Sequence, residues 1–273
     1  MKSKLQEYRS YLYESEKAEL TIEKYLSEAE KLLRYLVGKE ICKERMIDYR
    51  AELQKLYSVR TVNNKISAIN SFLDFAGYSN CKVKLLKMQR KAFADDNREL
   101  TENEYKRLLE AAERKANKRD YYILLAIAGT GIRISELQFI TAEAVRSCRA
   151  QINMKGKCRT VIIPKTLSSK LKEYMKLEGI QNGALFKSKS GIPVDRSNIC
   201  HSLKKLAKTA KVPAEKVFPH NLRHLFAREF YSVSKDVVHL ADVLGHSNIE
   251  TTRIYLAETI ASHEKTIMKM KLI

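Results

Sequence analysis

The first proline of this chain is Pro164, and all four (Pro164, Pro193, Pro213 and Pro219) fall in its second part. Proline removes a backbone donor and clashes with the preceding helical turn, so a long proline-free stretch leaves helices unbroken. Glycine is also scarce early, with only Gly38 and Gly77 before residue 129. Apolar residues recur there at helical spacing, at Ile22, Tyr25, Leu26, Ala29, Leu32, Leu33 and Leu36, and again at Val62, Ile66, Ile69, Phe72, Leu73 and Ala76. Thr21 reads as the N-cap of the first run, and Gly38 and Gly77 as C-terminal stops. Residues 1–85 therefore read as a bundle of about four helices.

The segment KMQRKAFADDNRE, 87–99, has no apolar period and mixed charge, which marks a linker. A new helix starts behind it, with Thr101 and Glu104 spaced as a capping box. The spacing divides the chain into a helical domain over 1–88, a linker over 89–98 and a second domain over 99–273. The second domain is mixed. Tyr121–Gly131 reads as a buried helix that stops at glycines, and Gln151–Pro164 as two short strands around a Lys-Gly-Lys turn. Further helices are expected around 166–178, 196–211, 220–232, 235–243 and 248–256.

Lys and Arg number 51 against 32 acids, a net charge of +19. The excess is not a tail: residues 1–98 hold 20 basic and 14 acidic side chains, the remainder 31 and 18. Self-repulsion on this scale is offset by a polyanion, and nucleic acid is the first candidate. An anionic membrane surface is the second, but no long apolar run or signal-like start accompanies the charge. The cysteines, Cys42, Cys81, Cys148, Cys158 and Cys200, are odd in number and scattered without a CxxC pair. They read as free buried thiols in a reducing cytoplasm, with neither a disulfide framework nor a zinc site.

The second domain also carries a set of phosphate-seeking groups. TGIRISEL places Arg133 just after a glycine break, and MKGK places Lys155 at a hairpin tip. HNLRH puts His220 and Arg223 three apart on one helix face. LGHSNIETTRIY adds His246 and Tyr255. Taken singly, each has a plainer reading: a solvated arginine, a turn lysine, a histidine cap, a tyrosine at the edge of a core. Taken together they fit attack on a phosphodiester. Guanidinium forks match non-bridging phosphate oxygens, a tyrosine hydroxyl serves as nucleophile when a neighbour takes its proton, and a lysine supplies a proton to the departing oxygen. No carboxylate cluster for a metal accompanies them.

Read in order, TGIRISEL, MKGK, HNLRH and LGHSNIETTRIY resemble the signature of the tyrosine recombinase (phage integrase) family, and the likeness runs over nearly the whole chain. TIEKYL and SVRTVNNKISAINSFLDFAG resemble the helical core-binding domain of that family. The resemblance implies a mainly α fold with a small β-sheet: a helical core-binding domain plus a mixed α/β catalytic domain. It implies that Arg133 and Arg223 hold the scissile phosphate, that Lys155 is the general acid for the 5′ oxygen, and that His220 assists proton transfer at the nucleophile. It implies that His246 hydrogen-bonds the phosphate, that Tyr255 forms a 3′-phosphotyrosine link, and that Glu136 orients the site. No cofactor and no metal are implied, because the phosphotyrosine retains the bond energy for religation. Met154 stands where glycine commonly precedes the hairpin lysine, so Lys157 rivals Lys155; Asn221 stands where aspartate is common.

The expected partner is double-stranded DNA with a specific recombination site, gripped between two basic halves. Arg60, Asn64 and Lys65, off the apolar stripe of their helix, are candidates for groove and phosphate contacts, with Lys87, Arg90 and Lys91 in the linker and Lys204, Lys205 and Lys208 on another helix. The tail after Tyr255, with Ile260, Ile267, Met268 and Met270, is apolar enough to need a surface, a neighbouring subunit or its own domain. A tetramer on two duplexes, monomeric when free, follows from the resemblance, with a partner recombinase as an open addition. A chain that starts almost directly at the core-binding helices is expected to work in a simple Xer-like or inversion-type system. Two rivals stay open at this point: DNA relaxation by the same chemistry, and a DNA-binding protein that has lost catalysis.

Overall fold

The computed structural model describes residues 2–88, 99–154, 157–188, 191–246 and 248–253. The chain divides into two compact units, Met1–Arg90 and Lys91–Ile273. Lys91 and the expected linker lie outside the described residues, as do Lys155, Tyr255 and the tail.

The first unit is built from α1 (Lys2–Glu14), α2 (Glu19–Tyr35), α3 (Lys43–Leu56) and α4 (Val59–Phe75). The two periodic runs supply its core: Ile22, Ala29 and Leu32 of α2 and Val62, Ile66, Ile69, Phe72 and Leu73 of α4 pack with Tyr8, Leu12 and Met46. Burying each large apolar side chain contributes roughly 1.5–3 kcal/mol, enough to fix which face of each helix turns inward. Thr21 is not the cap of α2. The helix begins at Glu19 behind Ala18, and the Thr21 amide already bonds to the Ala18 carbonyl at 2.7 Å. Ser58 does cap α4, its hydroxyl facing the Thr61 amide at 3.5 Å.

An extended segment returns along α4 and is held by two asparagines one heptad apart. The Asn70 carboxamide donates to the Val83 carbonyl at 2.9 Å and accepts from the Val83 amide at 3.1 Å. Asn63 repeats the pairing with Leu86, at 2.9 and 2.8 Å. Each side chain thus plays the part of a neighbouring strand and satisfies backbone groups that a lone segment would leave to water.

The second unit opens with α5 (Glu102–Glu113), where Thr101 and Glu104 form the expected capping box. Next comes α6 (Arg119–Thr130), which runs through Gly129 and stops at Gly131, in the left-handed region at φ +63°. A 3₁₀ turn, Ile134–Phe139, and a short helix, α7 (Ala142–Ser147), follow; no periodicity announced either. The strands β1 (Arg149–Met154) and β2 (Lys157–Ile162) form an antiparallel pair in which Ile152 faces Arg159 and Ala150 faces Val161. Beyond them lie α8 (Lys165–Leu177), α9 (Arg196–Thr209), α10 (Pro219–Ser234), α11 (Val237–Leu244) and α12 (Ile249–Arg253). One apolar core joins α5, α6, the inward face of the hairpin, α8, α9 and α10 through residues such as Leu108, Ile127, Ile152, Val161, Leu171, Leu203 and Leu222.

The cysteines are free, but only Cys81 is buried. Cys42, Cys148 and Cys200 are half-buried, and Cys158 is exposed because strand alternation turns it outward between Lys157 and Arg159. Among the described residues no helix is long and apolar enough to cross a membrane.

Candidate active site

Three elements meet where the second unit gathers its arginines: the turn after α6, strand β2, and the C-terminal end of α11. The turn is shaped by Gly131. A β-carbon there would stand 2.4 Å from the Phe226 ring, so only glycine lets α10 approach this closely. Two residues later Arg133 precedes the 3₁₀ turn, and Glu136 closes back on it. Glu136 accepts from the Arg133 amide at 2.9 Å and from Arg133 Nη1 at 2.9 Å.

Glu136 also accepts from Arg159 Nη2 at 2.6 Å. Its side chain is only 6% exposed. Burial alone would raise its pKa, but the Arg133 amide and the Arg159 and Arg133 guanidiniums outweigh burial and hold the carboxyl below its usual range. One carboxylate among three guanidiniums leaves the locus positive.

The end of α11 organises those guanidiniums. Asp236 caps its start, accepting from the amides of Val238 and His239. Gly245 ends it at φ +64°, and the His246 amide folds back to the Ala241 carbonyl at 2.9 Å. This closure leaves successive carbonyls facing the site, and three arginines take them. Arg159 Nη1 donates to Val243 O at 2.6 Å, Arg223 Nη2 to Leu244 O at 2.7 Å and Arg133 Nη2 to Gly245 O at 3.2 Å. Cations belong at a helix C-terminus, where the unmatched carbonyls concentrate negative charge.

Arg223, on the first turns of α10, is almost fully buried at 1% exposure. Its Nη1 donates to Gly131 O at 2.6 Å, and its Nη2 lies 2.9 Å from His246 Nε2. A guanidinium only donates, so Nε2 accepts, and Nδ1 carries the proton toward Thr252 Oγ1 at 2.8 Å. Burial, then the charges of Arg223, Arg133 and Arg159, push the His246 pKa down to about 4, so the ring is neutral near pH 7. Thr252 is itself fully buried.

His220, one turn before Arg223, is exposed. Partial burial of its ring, then the charges of Arg223, Arg133 and Arg196, nonetheless hold its pKa below the usual histidine value. Its ring stands edge-on to that of His224, with centroids 4.8 Å apart. Asn221 is buried and donates to the Lys216 carbonyl at 2.7 Å, a structural anchor for the start of α10.

The structure thus brings Arg133, Glu136, His220, Arg223 and His246 together, while Lys155 and Tyr255 lie outside the described residues. Sequence reasoning missed Arg159 and Thr252. The signal for Arg159 was there: alternation along β2 sets it on the same inward face as buried Val161, an unusual place for a charge. Among the candidate DNA contacts, Arg60 and Asn64 are exposed, as are Lys204, Lys205 and Lys208. Lys65 is not available in the same way. Its Nζ sits 2.9 and 3.0 Å from the two Glu28 carboxylate oxygens and 4.6 Å from the centre of the Tyr57 ring. Among the described residues no group of three or more His, Cys, Asp or Glu side chains is arranged to hold a metal ion.

Residues 98–261 match the model of the phage integrase family. The tyrosine recombinase XerA of Pyrococcus horikoshii is 30% identical over 98% of this chain and 94% of its own length. A crystal structure of XerA recombinase superposes with a TM-score of 0.56 at 26% identity, covering 100% of this chain and 99% of that one. The XerH recombinase bound to palindromic difH DNA reaches a TM-score of 0.72 at 20% identity over 92% of this chain and 80% of its own, a likeness of fold.

Proposed function

The chain belongs to the phage integrase family of tyrosine recombinases, and from that membership we propose a role for each residue of the site. The protein is a site-specific recombinase, an enzyme that cleaves and rejoins DNA strands. Tyr255 Oη attacks the scissile phosphorus while the P–O5′ bond breaks. The tyrosine proton passes to His220, whose lowered pKa keeps it neutral and able to accept near pH 7. Lys155 gives a proton to O5′, with Lys157 as its rival. The 3′-phosphotyrosine retains the bond energy, and attack by a 5′-hydroxyl runs the same steps in reverse.

The observation that carries this reading is the seating of Arg133, Arg159 and Arg223 on three successive carbonyls at the end of α11. Arg133 and Arg223, fixed in this way before substrate arrives, stabilise charge as it develops without reorganising, and Arg159 braces the same turn. Arg133, with 39% of its side chain exposed, is the open face of the clamp, and Arg223 its buried base. His246 holds Arg223 when no phosphate is present. A phosphate oxygen at Nε2 calls for a donor, so phosphate binding draws a proton onto that nitrogen while Nδ1–H keeps its bond to Thr252.

DNA is the partner. The helical first unit would grip the duplex through Arg60 and Asn64, Lys91 of the expected linker would follow the backbone, and the second unit would carry the chemistry, with Lys204, Lys205 and Lys208 on phosphates. Lys65, engaged by Glu28, is dropped from this set. Strand exchange between two duplexes calls for four active sites, hence a tetramer on DNA, with or without a partner recombinase.

The test uses DNA nicked near candidate sites, so that the cut fragment diffuses away and the adduct accumulates. Wild type forms a covalent protein–DNA adduct on a denaturing gel, and Tyr255→Phe forms none. An adduct from Tyr255→Phe would remove the nucleophile from this reading.

A further inference from the structure

Arg159 has no direct part in this chemistry, although it joins strand β2 to the turn after α6 and to the end of α11. We infer that Arg159 is a positioning residue: it fixes the hairpin bearing the general-acid lysine against the phosphate clamp. The inference rests on reading that acid as a lysine of the hairpin turn.

A two-stranded hairpin is marginally stable by itself, so its tip needs an anchor elsewhere. Ala150, Ile152 and Val161 root the base of this one in the core. Arg159 faces Ile152, and only the pairs Asn153–Cys158 and Met154–Lys157 lie between it and residues 155–156. Met154, two pairs nearer the tip, packs against the same core but is only partly buried, so Arg159 is the polar anchor nearest the tip and the one that binds the other elements of the site. Its side chain is 13% exposed and forks between two elements, Nη2 to Glu136 at 2.6 Å and Nη1 to Val243 O at 2.6 Å. Glu136 holds Arg133, and the carbonyl next to Val243 holds Arg223. The fork thus ties the hairpin to both arms of the clamp. Only a planar, permanently charged group reaches two acceptors so placed.

Gly245 fits the same device. A β-carbon there would stand 2.4 Å from Arg159 Cδ and 2.9 Å from its Nε, on a backbone already at φ +64°. Glycine at the end of α11 both allows the left-handed turn that presents His246 and leaves passage for the Arg159 stem.

The test separates proton delivery from phosphate binding. Two DNA substrates are compared: one with the ordinary bridging oxygen at the scissile 5′ position, the other with sulfur there. When Tyr255 attacks the second, the P–S bond breaks and a thiolate departs without needing a proton. Arg159→Met is expected to cleave the oxygen substrate on the order of 10²-fold more slowly than wild type, the scale of a misplaced catalytic group. It should recover most of that rate on the sulfur substrate. Arg159→Lys keeps the charge without the fork, and should show a smaller loss with the same recovery; it also serves if the methionine variant does not fold. Equal losses on both substrates would overturn the inference and confine Arg159 to the clamp or to folding. Lys155→Ala and Lys157→Ala read the underlying assignment separately. If Lys157→Ala alone is rescued by sulfur, the acid is Lys157 and the positioning role stands. If neither is rescued, the hairpin supplies no acid and the inference falls with it.

Discussion

His246 and His224 are held uncharged by burial and by the groups around them. Burial, followed by the guanidiniums around it, lowers His246 to about 4; burial, then His220, Arg228 and Arg223, lowers His224 to about 3. An unfolded histidine titrates near 6.5. Below that pH the unfolded chain takes up protons that the native fold refuses, so the unfolded state gains on acidification. The histidine contribution is fully present above pH 6.5 and is lost as pH falls toward 4, at up to about 1.4 kcal/mol per pH unit for each group. Glu136, with its pKa below 4.5, adds its own loss only at lower pH. A melting temperature that declines steadily between pH 7 and pH 4.5, and declines less in His224→Gln, is the expected record. A flat profile across that window would mean that these rings take up protons as readily in the folded protein as in the unfolded chain.

At the scale of elements, the weakest-looking piece is the extended segment behind α4, which pairs with no strand among the described residues; Asn63 and Asn70 bind its backbone, with Arg50 and Lys43 on two further carbonyls and Val83 in the core. Removing either carboxamide strands two backbone groups, at about 1–3 kcal/mol. Asn63→Ala is expected to raise the rate of tryptic cutting at Lys84 and Lys87 several-fold, since both flank Leu86, while α1 to α4 keep their helical signal. Unchanged cutting would show that the pairing holds nothing. These asparagines also mark the limit of what the residue pattern makes legible. Long amphipathic runs declare themselves because burial repeats every three or four residues, and so α2, α4, α8, α9 and α10 were visible in advance. The hairpin was equally plain from its turn and its apolar strands. The 3₁₀ turn at Ile134–Phe139 and the short α7 were not, since one or two turns offer too few repeats to set a period. At the site, Arg133, Glu136, His220, Arg223 and His246 came from motif order. Arg159 stood outside every motif, and what defines it is a pair of long-range acceptors, Glu136 and Val243, 23 and 84 residues away.

For the whole molecule the dominant quantity is a net charge of +19 spread over both units. A basic protein that neutralises phosphates releases their counterions, so the logarithm of its affinity falls linearly with the logarithm of salt, by about 0.9 for each phosphate engaged on duplex DNA. That slope counts contacts, and it sorts the lysines and arginines of the surface from those already occupied. Arg60 on α4 and Lys204 on α9 are exposed, and Arg60→Gln or Lys204→Gln should each flatten the slope by about 1 while leaving the melting temperature close to wild type. Lys65, five residues along α4 from Arg60, should behave in the opposite way. Its ammonium is shared between the Glu28 carboxylate and the Tyr57 ring, and its side chain is only 12% exposed. Lys65→Gln would leave Glu28 half-buried beside Lys31 alone, lower the stability of the first unit by about 1–3 kcal/mol, and hardly change the salt slope. Binding isotherms from 50 to 200 mM salt, run beside thermal melts for the same variants, separate the two behaviours. A Lys65→Gln protein with a flattened slope and an unchanged melt would show that the Glu28 pairing opens when DNA binds, and would return Lys65 to the DNA interface.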